Sequence, residues 1–447
     1  MAYINGKEIL FSAVISGGGE QPTLNAPSVA LDLYTAALTI TDEQNGNFAS
    51  GYKIYLAEKF LATVTEKTVL LLERTEYTED VTVKVCAAGE NFKDSEFSEV
   101  LWEKPKLYAP TVSIDNITDT ITITDTNGTK TKEFAIYAND ILLCTTTETS
   151  VVLSAYMELT ETQFITVKAI SNESYYLDSA PSEFAIWAVK TAGTPGLAYE
   201  LSSDGLYYTC TGIGTATETD IIIGSIKDGL PVKEVGYAAF NSNSNITSVT
   251  IPHGVERLLQ SSFSSCSALK NVYISESVNR IRDYAFANSA VEYLEYNAIE
   301  ATIEMNKIPF FKTEGISKPN MSVKIGANVK VIPCLFGGNP SATSARVVSL
   351  EFEEGSVLEI ISNHAFYGAY NNSEKIIIFP KTLKAIYSLA FGGCSMGVLD
   401  FSNFESIPII STNAFGTVAQ ILVPSALYDE WITAENWSAY ADKIVAV

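Results

Sequence analysis

An apolar triplet recurs through the C-terminal half of the chain and constrains its fold more than any other feature. Its third residue returns every 22 to 29 positions. The nine triplets are Ile221–Ile223, Val249–Ile251, Val272–Ile274, Leu294–Tyr296, Val323–Ile325, Leu350–Phe352, Ile377–Phe379, Leu399–Phe401 and Ile421–Val423. A period of this length predicts a solenoid, because one repeat cannot bury its own apolar face and must stack on its neighbours.

Two further landmarks accompany seven of the nine triplets in a fixed order. An apolar pair spaced by three residues, such as Val255 and Leu258, precedes a phenylalanine by four to six residues. The phenylalanines are Phe240, Phe263, Phe286, Phe336, Phe366, Phe391 and Phe415. One degenerate repeat falls between Phe286 and Phe336, and Phe310-Phe311 stands in for its anchor. We expect the outer triplet residues to point inward above a column of phenylalanines, and the middle residues to face solvent. Nine adjacent strands would form one sheet about 40 Å long.

Composition supports a mainly β protein with more than one domain. The 447 residues are 47% hydrophobic and 18% charged, and they include 23 tyrosines and 21 phenylalanines, which pack well on pleated sheets. A net charge of −23 repels nucleic acid and anionic membranes, so neither is expected as a partner. No apolar run reaches the ~20 residues that cross a bilayer, and the first residues lack the cationic start of a secretory signal.

The N-terminal half contains an internal duplication. Pairs of residues match at offsets of 82 to 84, for example Ile54-Tyr55 with Ile136-Tyr137 and Ser98-Glu99 with Ser182-Glu183. Each copy alternates short apolar runs with Gly, Asn and Pro, a pattern that predicts a small β-sandwich. The predicted domains are an N-terminal attachment arm at 1–21, a first sandwich at 22–105, a second at 106–190, and a capped solenoid at 191–447.

The two copies resemble fibronectin type III-like or immunoglobulin-like modules. The resemblance rests on the Pro-led first strands, on the central "Tyr-Lys-Ile-Tyr" and "Phe-Ala-Ile-Tyr", and on the last strands with "Ser-Glu-Phe-Ser-Glu" and "Ser-Ala-Pro-Ser-Glu". It implies that each copy is a β-sandwich. Together with the solenoid it gives the expected fold class: mainly β, two tandem β-sandwiches, then a leucine-rich repeat solenoid with a C-terminal helical cap.

The repeats themselves resemble the BspA-type leucine-rich repeat. The sequence motif of that repeat is found in the segments Ile251-Pro-His-Gly-Val255 and Phe263-Ser-Ser-Cys266-Ser-Ala-Leu269. We expect residues 191–230 to cap the start of the solenoid. Residues 424–447 would close its end as a helix with Ser425 as N-cap and with Trp431 and Trp437 as apolar cover.

No catalytic constellation emerges from the sequence. His253 and His364 fall at variable repeat positions, and Cys266 and Cys394 occupy a repeat slot that favours buried thiols over nucleophiles. The six cysteines are spread singly, which favours reduced thiols over disulfides or a zinc site. We therefore expect no enzyme activity, no metal and no cofactor.

The remaining candidate for a functional site is the solvent-facing surface of the solenoid. We name the solvent-facing column as the candidate ligand-binding site, and its residues are Thr250, Tyr273, Tyr293, Glu295, Lys324, Glu351, Ile376, Ile378 and Asp400. Exposed tyrosine and isoleucine on one strip exceed what an ordinary solvated face requires. An ordinary solvated face is the alternative interpretation.

These observations predict a non-enzymatic adhesin that binds a bacterial cell-surface receptor, protein or glycan, through the solenoid. The opening "Ala-Tyr-Ile-Asn-Gly-Lys-Glu-Ile-Leu-Phe" resembles the start of phage or prophage tail proteins of Gram-positive bacteria. That resemblance implies a virion tail component, assembled in the host cytoplasm and joined to other tail proteins through its N-terminus. A bacterial cell-surface adhesin of the BspA type and a purely structural virion protein are the alternatives. Tail fibres are often trimers, but no coiled-coil heptad specifies a homo-oligomer here.

Overall fold

The computed structural model describes residues 2–4, 7–9, 23–33, 35–42, 49–76, 79–89, 92–157, 162–172, 175–303, 308–312, 318–337 and 345–447. The chain divides into two compact units. The first comprises Met1–Ser113, Ile121–Val151 and Phe164–Ala185, and the second comprises Ile114–Thr120, Val152–Gln163 and Ile186–Val447. Strands dominate both, and no helix among the described residues has the length and apolarity to cross a bilayer.

The N-terminal half is built from short strands. They are β1 (Ala2–Ile4), β2 (Lys7–Ile9), β3 (Ser28–Asp32), β4 (Ala37–Thr41), β5 (Gly51–Leu56), β6 (Lys59–Val64), β7 (Thr68–Leu70), β8 (Val81–Ala88), β9 (Ser98–Trp102), β10 (Thr111–Asp115), β11 (Thr120–Thr124), β12 (Thr131–Ala138), β13 (Ile141–Thr146), β14 (Ser150–Val152), β15 (Gln163–Ser171) and β16 (Ala185–Trp187). Single 3-10 turns lie at Leu71–Glu73, Gly128–Lys130 and Leu153–Ala155.

The two copies have the same sheet topology. The first contains a three-stranded sheet in the order β3-β4-β7 and a four-stranded sheet in the order β6-β5-β8-β9. The second repeats this arrangement as β10-β11-β14 and β13-β12-β15-β16. Alternate residues of the central strands are buried, such as Leu38 and Ile40 on β4 and Ile121 and Ile123 on β11. Seven strands in two sheets match the content expected of a fibronectin type III-like module.

The predicted attachment arm lies mostly outside the described residues. Only the backbones of β1 and β2 are described there, and they pair antiparallel with Ala2 opposite Ile9. The predicted turn at Asn5-Gly6 and the glycines at 17–19 lie outside the described residues. The arm therefore stays a prediction.

The C-terminal half contains the repeats. Its strands are β17 (Ala198–Leu201), β18 (Tyr208–Gly212), β19 (Asp220–Ile222), β20 (Ile226–Lys227), β21 (Leu230–Val235), β22 (Ser248–Ile251), β23 (Arg257–Leu258), β24 (Asn271–Ile274), β25 (Arg280–Ile281), β26 (Tyr293–Tyr296), β27 (Met321–Ile325), β28 (Val331–Ile332), β29 (Val347–Phe352), β30 (Ile360–Ile361), β31 (Asn371–Ile378), β32 (Ala385–Ile386), β33 (Phe391–Asp400), β34 (Ile409–Ile410), β35 (Phe415–Val423) and β36 (Ile444–Ala446).

The predicted solenoid is confirmed. The triplets form parallel, in-register strands in the orders β19-β22-β24-β26-β27-β29 and β31-β33-β35-β36. The apolar pairs form a second parallel ladder of very short strands, β21-β23-β25 and then β28-β30-β32-β34. Outer triplet residues such as Val249 and Ile251 are buried, whereas Thr250 between them is partly exposed. Phe352 departs from the pattern because it is only half-buried.

The phenylalanines form one continuous column inside the solenoid. Centroids of successive rings lie 4.9 to 6.0 Å apart from Phe240 to Phe415. Phe310 occupies the rung of the degenerate repeat, 4.9 Å from Phe286 and 5.3 Å from Phe336. The substitution of Phe310 for a regular anchor is thereby confirmed, and the core is unbroken through this repeat.

The ends of the solenoid are covered, but not entirely as predicted. At the start, the backbone N–H of Thr194 donates to the Ile222 carbonyl, and Leu197 joins the core. At the far end, the chain forms 3-10 turns at Ser425–Leu427 and Trp437–Tyr440 around one four-residue α-helix, α1 (Tyr428–Trp431). The prediction of a helical cap is thus correct for one short helix only, because β36 adds a further strand beside β35.

The predicted N-cap role of Ser425 is wrong. Its hydroxyl donates to the carbonyl of Val447, 3.0 Å away, and so ties the C-terminus to the cap. Burial of Trp431 and Trp437 is confirmed, and the Trp437 indole N–H donates to the Pro408 carbonyl at 2.8 Å.

The expectation of one sheet along the whole solenoid is also wrong. The triplet strands form two sheets, which separate between β29 and β31. In the first sheet each strand begins at most three residues before its triplet. In the second sheet β31, β33 and β35 begin several residues earlier, and these additional residues also pair, as Asn371 does with Ser395. After the isolated bridge between Val347 and Tyr370, β31 contains more residues than β29 before its triplet, and its register shifts between Asn372 and Ile376, so the ladder between the two strands does not continue.

Candidate functional site

Five residues of the solvent-facing column lie side by side on the six-stranded sheet. Parallel in-register pairing places Thr250, Tyr273, Glu295, Lys324 and Glu351 on consecutive strands, each opposite the next. Side chains at the same register position project from the same face of a sheet. The structure therefore brings these five residues into one row.

Tyr293 lies on a neighbouring row of the same face and joins this row through its side chain. Its ring centroid is 5.8 Å from that of Tyr273, and its hydroxyl donates to Glu295 at 3.1 Å. Lys324 Nζ forms an ion pair with Glu353 Oε1 at 3.0 Å. Two aromatic rings, two carboxylates and one ammonium group thus form a half-buried polar cluster.

Electrostatics in this cluster follow from its contacts. Burial raises the pKa of the Tyr293 hydroxyl, and the neighbouring Glu295 carboxylate raises it further. The hydrogen bond with Glu353 raises the pKa of Lys324, and the same bond lowers the pKa of Glu353. Lys324 and Glu353 are therefore both charged near neutral pH, which suits recognition of polar groups and supplies no general acid or base.

The remaining predicted residues lie on the second sheet. Ile378 is opposite Asp400, and Ile376 is opposite Val398. Ile376 is 54% exposed and Ile378 is 58% exposed, so both aliphatic side chains face solvent. The predicted column is thus divided between two sheets.

A cleft joins the two parts of the column where the sheets separate. It has a volume of about 920 Å³, and its lining includes Glu351, Ile376 and Ile378. Glu353, Glu354, Phe352, Phe379 and Lys381 complete most of its walls. We call this feature the β29–β31 cleft.

Sequence reasoning did not identify the lining residues Glu353, Glu354 and Lys381. The acidic pair follows directly on the Leu350–Phe352 triplet, and Lys381 follows the next triplet. Their position after two successive triplets was visible in the sequence, but the break that brings them to one cleft was not.

His364 and the repeat cysteines Cys266 and Cys394 occupy regular positions of the repeat. His364 has a φ of 58°, and the residues two positions before other phenylalanines, such as Leu389 and Asn413, also have positive φ. Cys266 Sγ and Cys394 Sγ each contact the carbonyl of the phenylalanine one repeat earlier at 3.1 Å. Burial raises the pKa of both thiols to about 11, which leaves them protonated and weakly nucleophilic at neutral pH.

Comparison with protein families agrees with the repeat geometry. Residues 219–314 and 343–427 match, in six copies, the family described as BspA type leucine rich repeat region. Over these two segments the chain is similar to that family, which supports the resemblance of the repeats to the BspA type. The β29–β31 cleft lies within the second matched segment.

Solved structures similar to parts of the chain include both kinds of module. A leucine-rich repeat protein from Bacteroides capillosus ATCC 29799 is 25% identical over 26% of this chain and 89% of its own, with a TM-score of 0.23. A leucine rich cell surface protein from Faecalibacterium prausnitzii A2-165 is 17% identical over 52% of this chain and 88% of its own (TM-score 0.23). Fibronectin(III)-like modules of CbhA from Clostridium thermocellum are 13% identical over 39% of this chain and 92% of theirs (TM-score 0.16). No curated protein matches the chain.

Proposed function

We propose that this protein is a non-enzymatic adhesin that binds a bacterial cell-surface receptor through the solvent-facing column of its BspA-type region. The observation that carries the proposal is the exposure of Ile376 and Ile378 on the same cleft as Glu351. Exposed aliphatic side chains that line a cleft are typical of interaction sites. The tyrosine pair and the charged cluster on the adjoining sheet would supply specificity through hydrogen bonds and ion pairs.

In this proposal the two duplicated modules act as spacers. Their buried residues serve their own cores, and the hydrogen bond from the Trp102 indole to the Tyr175 hydroxyl at 2.9 Å links the first copy with the second. The same Tyr175 hydroxyl lies 2.9 Å from the Leu33 carbonyl and donates to it. Two modules linked in this way would act together as one spacer.

Whether the adhesin belongs to a phage particle or to a bacterial cell surface is a separate proposal. The resemblance of residues 2–11 to phage tail proteins supports a virion tail component that attaches to other tail proteins through its N-terminus. The BspA-type repeats support the alternative of a bacterial cell-surface adhesin. Imaging of phage particles and of phage-free cells with an antibody to this chain separates the two, because only one of them should carry the label.

Binding itself is tested with fluorescent full-length protein on bacterial cells. The double variant Tyr273→Ala/Ile378→Ala should lose at least nine-tenths of the cell labelling. A matched control is Tyr237→Ala/Ile409→Ala, which removes the same side chains from positions that are 70% and 71% exposed elsewhere on the solenoid. Equal labelling by both folded variants would instead favour a purely structural virion protein.

A further inference from the structure

The β29–β31 cleft is closed at one end and open at the other. Residues 345–447 are described without a gap, and the one isolated bridge between the two segments joins Val347 with Tyr370. The side-chain amide of Asn372 donates to the Val348 carbonyl at 2.8 Å and reinforces that end. Beyond this point the strands carry no ladder pairing with each other, so the cleft opens toward their carboxyl ends.

The interior of the open end is apolar. The Phe352 and Phe379 rings lie 5.8 Å apart across the break, and Phe352 is the outer triplet residue that stays half-buried. Ile376 and Ile378 extend this apolar area to the surface. Four apolar side chains that border one cleft favour a ligand with apolar side chains of its own.

The rim of the open end is acidic. Glu353 is neutralised by Lys324, and Lys381 pairs with Glu405 at 3.2 Å. Glu351 accepts a hydrogen bond from the Ser349 hydroxyl at 3.0 Å, but neither Glu351 nor Glu354 has an ion-pair partner among the described residues. Two uncompensated carboxylates beside apolar side chains, in a chain of net charge −23, attract cationic groups.

We propose that the β29–β31 cleft binds an extended protein segment in which Lys or Arg side chains flank aliphatic ones. The inference rests on the proposed adhesin function and names the class of its receptor as protein. A glycan would instead need hydrogen-bonding groups where Ile376 and Ile378 lie, and leaving its hydroxyl groups unpaired there is costly. The aliphatic side chains of the segment cover Ile376, Ile378 and Phe352, and its cations reach Glu351 and Glu354.

The direct test uses full-length protein and a fluorescein-labelled peptide, Lys-Ile-Arg-Val-Lys-Leu-Arg-Val, in fluorescence anisotropy. Glu351→Gln/Glu354→Gln and Ile376→Ser/Ile378→Ser should each raise the Kd at least tenfold. A matched charge control is Glu430→Gln/Glu435→Gln, which removes two exposed carboxylates from the cap and should leave the Kd within twofold. All changed side chains are partly or fully exposed, and circular dichroism checks that each variant is folded.

Two further peptides separate the cleft from general attraction to an acidic protein. Replacing the aliphatic residues of the peptide by serine, or its cations by glutamate, should each abolish binding. Equal binding of the serine peptide, or an unchanged Kd in both cleft variants, would overturn the inference.

Cells distinguish failure of this inference from failure of the proposed function. Trypsin cleaves after Lys and Arg, so pretreatment of the cells with trypsin should remove at least nine-tenths of the labelling by the intact protein, whereas periodate oxidation of glycans should not. Labelling that survives trypsin but is lost after periodate overturns a protein receptor and leaves the adhesin function standing. If untreated cells are never labelled, the adhesin function fails, and the peptide titration alone then decides whether the cleft binds this class of segment.

Discussion

The duplicated modules and the repeat region use β-strands in opposite ways. In each module the seven strands belong to two sheets, and neighbours in a sheet are often distant in sequence, as with β4 and β7. In the repeat region triplet strands pair with those of the adjacent repeats, except at the break between β29 and β31, and the buried phenylalanines contact one another in sequence order. The core of a module is therefore shared by all its strands, whereas the core of the solenoid is a sum of local contacts.

This difference explains why the solenoid tolerates irregular repeats. In the degenerate repeat Phe310 keeps the phenylalanine column continuous. The break between β29 and β31 also leaves this column intact, since Phe336 and Phe366 remain 5.0 Å apart. A surface feature such as the cleft can thus form without loss of the core.

The largest effect is expected from Phe310→Ala. The ring is 1% exposed and stacks on both sides, so its removal leaves a cavity that should cost about 3 to 5 kcal/mol of unfolding free energy. Hydrogen exchange should show loss of protection confined to the repeats of Phe286 and Phe336. The comparison variant Ile54→Ala, in the centre of β5, should instead lower protection throughout the first module. Loss of protection along the whole solenoid would contradict local stability.

The buried Lys312 should make the stability of the repeat region depend on pH. Its side chain is 1% exposed, its ammonium group donates to the Ser289 carbonyl, and burial lowers its pKa to about 8 from 10.5. Between these two values the unfolded chain binds a proton that the folded chain does not, so the contribution of Lys312 to stability rises with pH from about 8 to 10.5.

Substitution by methionine should remove this dependence. Lys312→Met keeps a long apolar side chain without a buried charge, and it should raise the unfolding free energy at pH 7 by about 2 kcal/mol. Urea titrations of both proteins at pH 7 and 10 measure the effect. A gain of the same size at both pH values would refute the assigned cause.

Tyr175→Phe tests how closely the two modules are linked. The change removes the hydrogen bonds to the Trp102 indole and the Leu33 carbonyl, and it should cost about 1 to 2 kcal/mol. Thermal unfolding followed by Trp fluorescence measures this loss. Tyr108→Phe, at a side chain that is 57% exposed, is the matched control and should change stability by less than about 0.5 kcal/mol.

The smallest effect, and the one of opposite sign, is expected at Leu389. This residue has a φ of 55°, which is costly for leucine and better tolerated by asparagine, the residue found at the equivalent position 413. Leu389→Asn should therefore stabilise the protein by about 0.5 kcal/mol, measured by urea unfolding. Leu389→Ala keeps the backbone cost and serves as control, so a greater gain from alanine than from asparagine would count against the argument.

Much of the fold could be predicted because its signals are local and repeated. The triplets, the apolar pairs and the phenylalanines recur in a fixed order, so the buried and exposed positions of most rungs follow from the alternation of side chains along a strand. The duplication likewise predicted two copies, and the two sets of sheets have the same order. The pair Phe310-Phe311 could be assigned to the degenerate repeat from the sequence, and the structure shows that Phe310 is the member that occupies the rung.

The candidate site could be predicted only in part. The row from Thr250 to Glu351 follows from the triplets, since the middle residue of each faces outward. The division of the column, the cleft and the roles of Glu353, Glu354 and Lys381 depend on where β31 departs from β29. That departure accompanies the register shift of β31 between Asn372 and Ile376, which the repeat pattern does not mark.

The repeat, its inward and outward positions and the residue types on its surface follow from the sequence, because they depend on the alternation of side chains along a strand and on the stacking of equivalent residues. The division of the triplet strands into two sheets, with a cleft of about 920 Å³ between them, is a property of the folded chain. After the bridge between Val347 and Tyr370, β31 contains more residues than β29 before its triplet, and its register shifts between Asn372 and Ile376. The ladder between β29 and β31 therefore does not continue, and the surface opens at Glu351, Ile376 and Ile378.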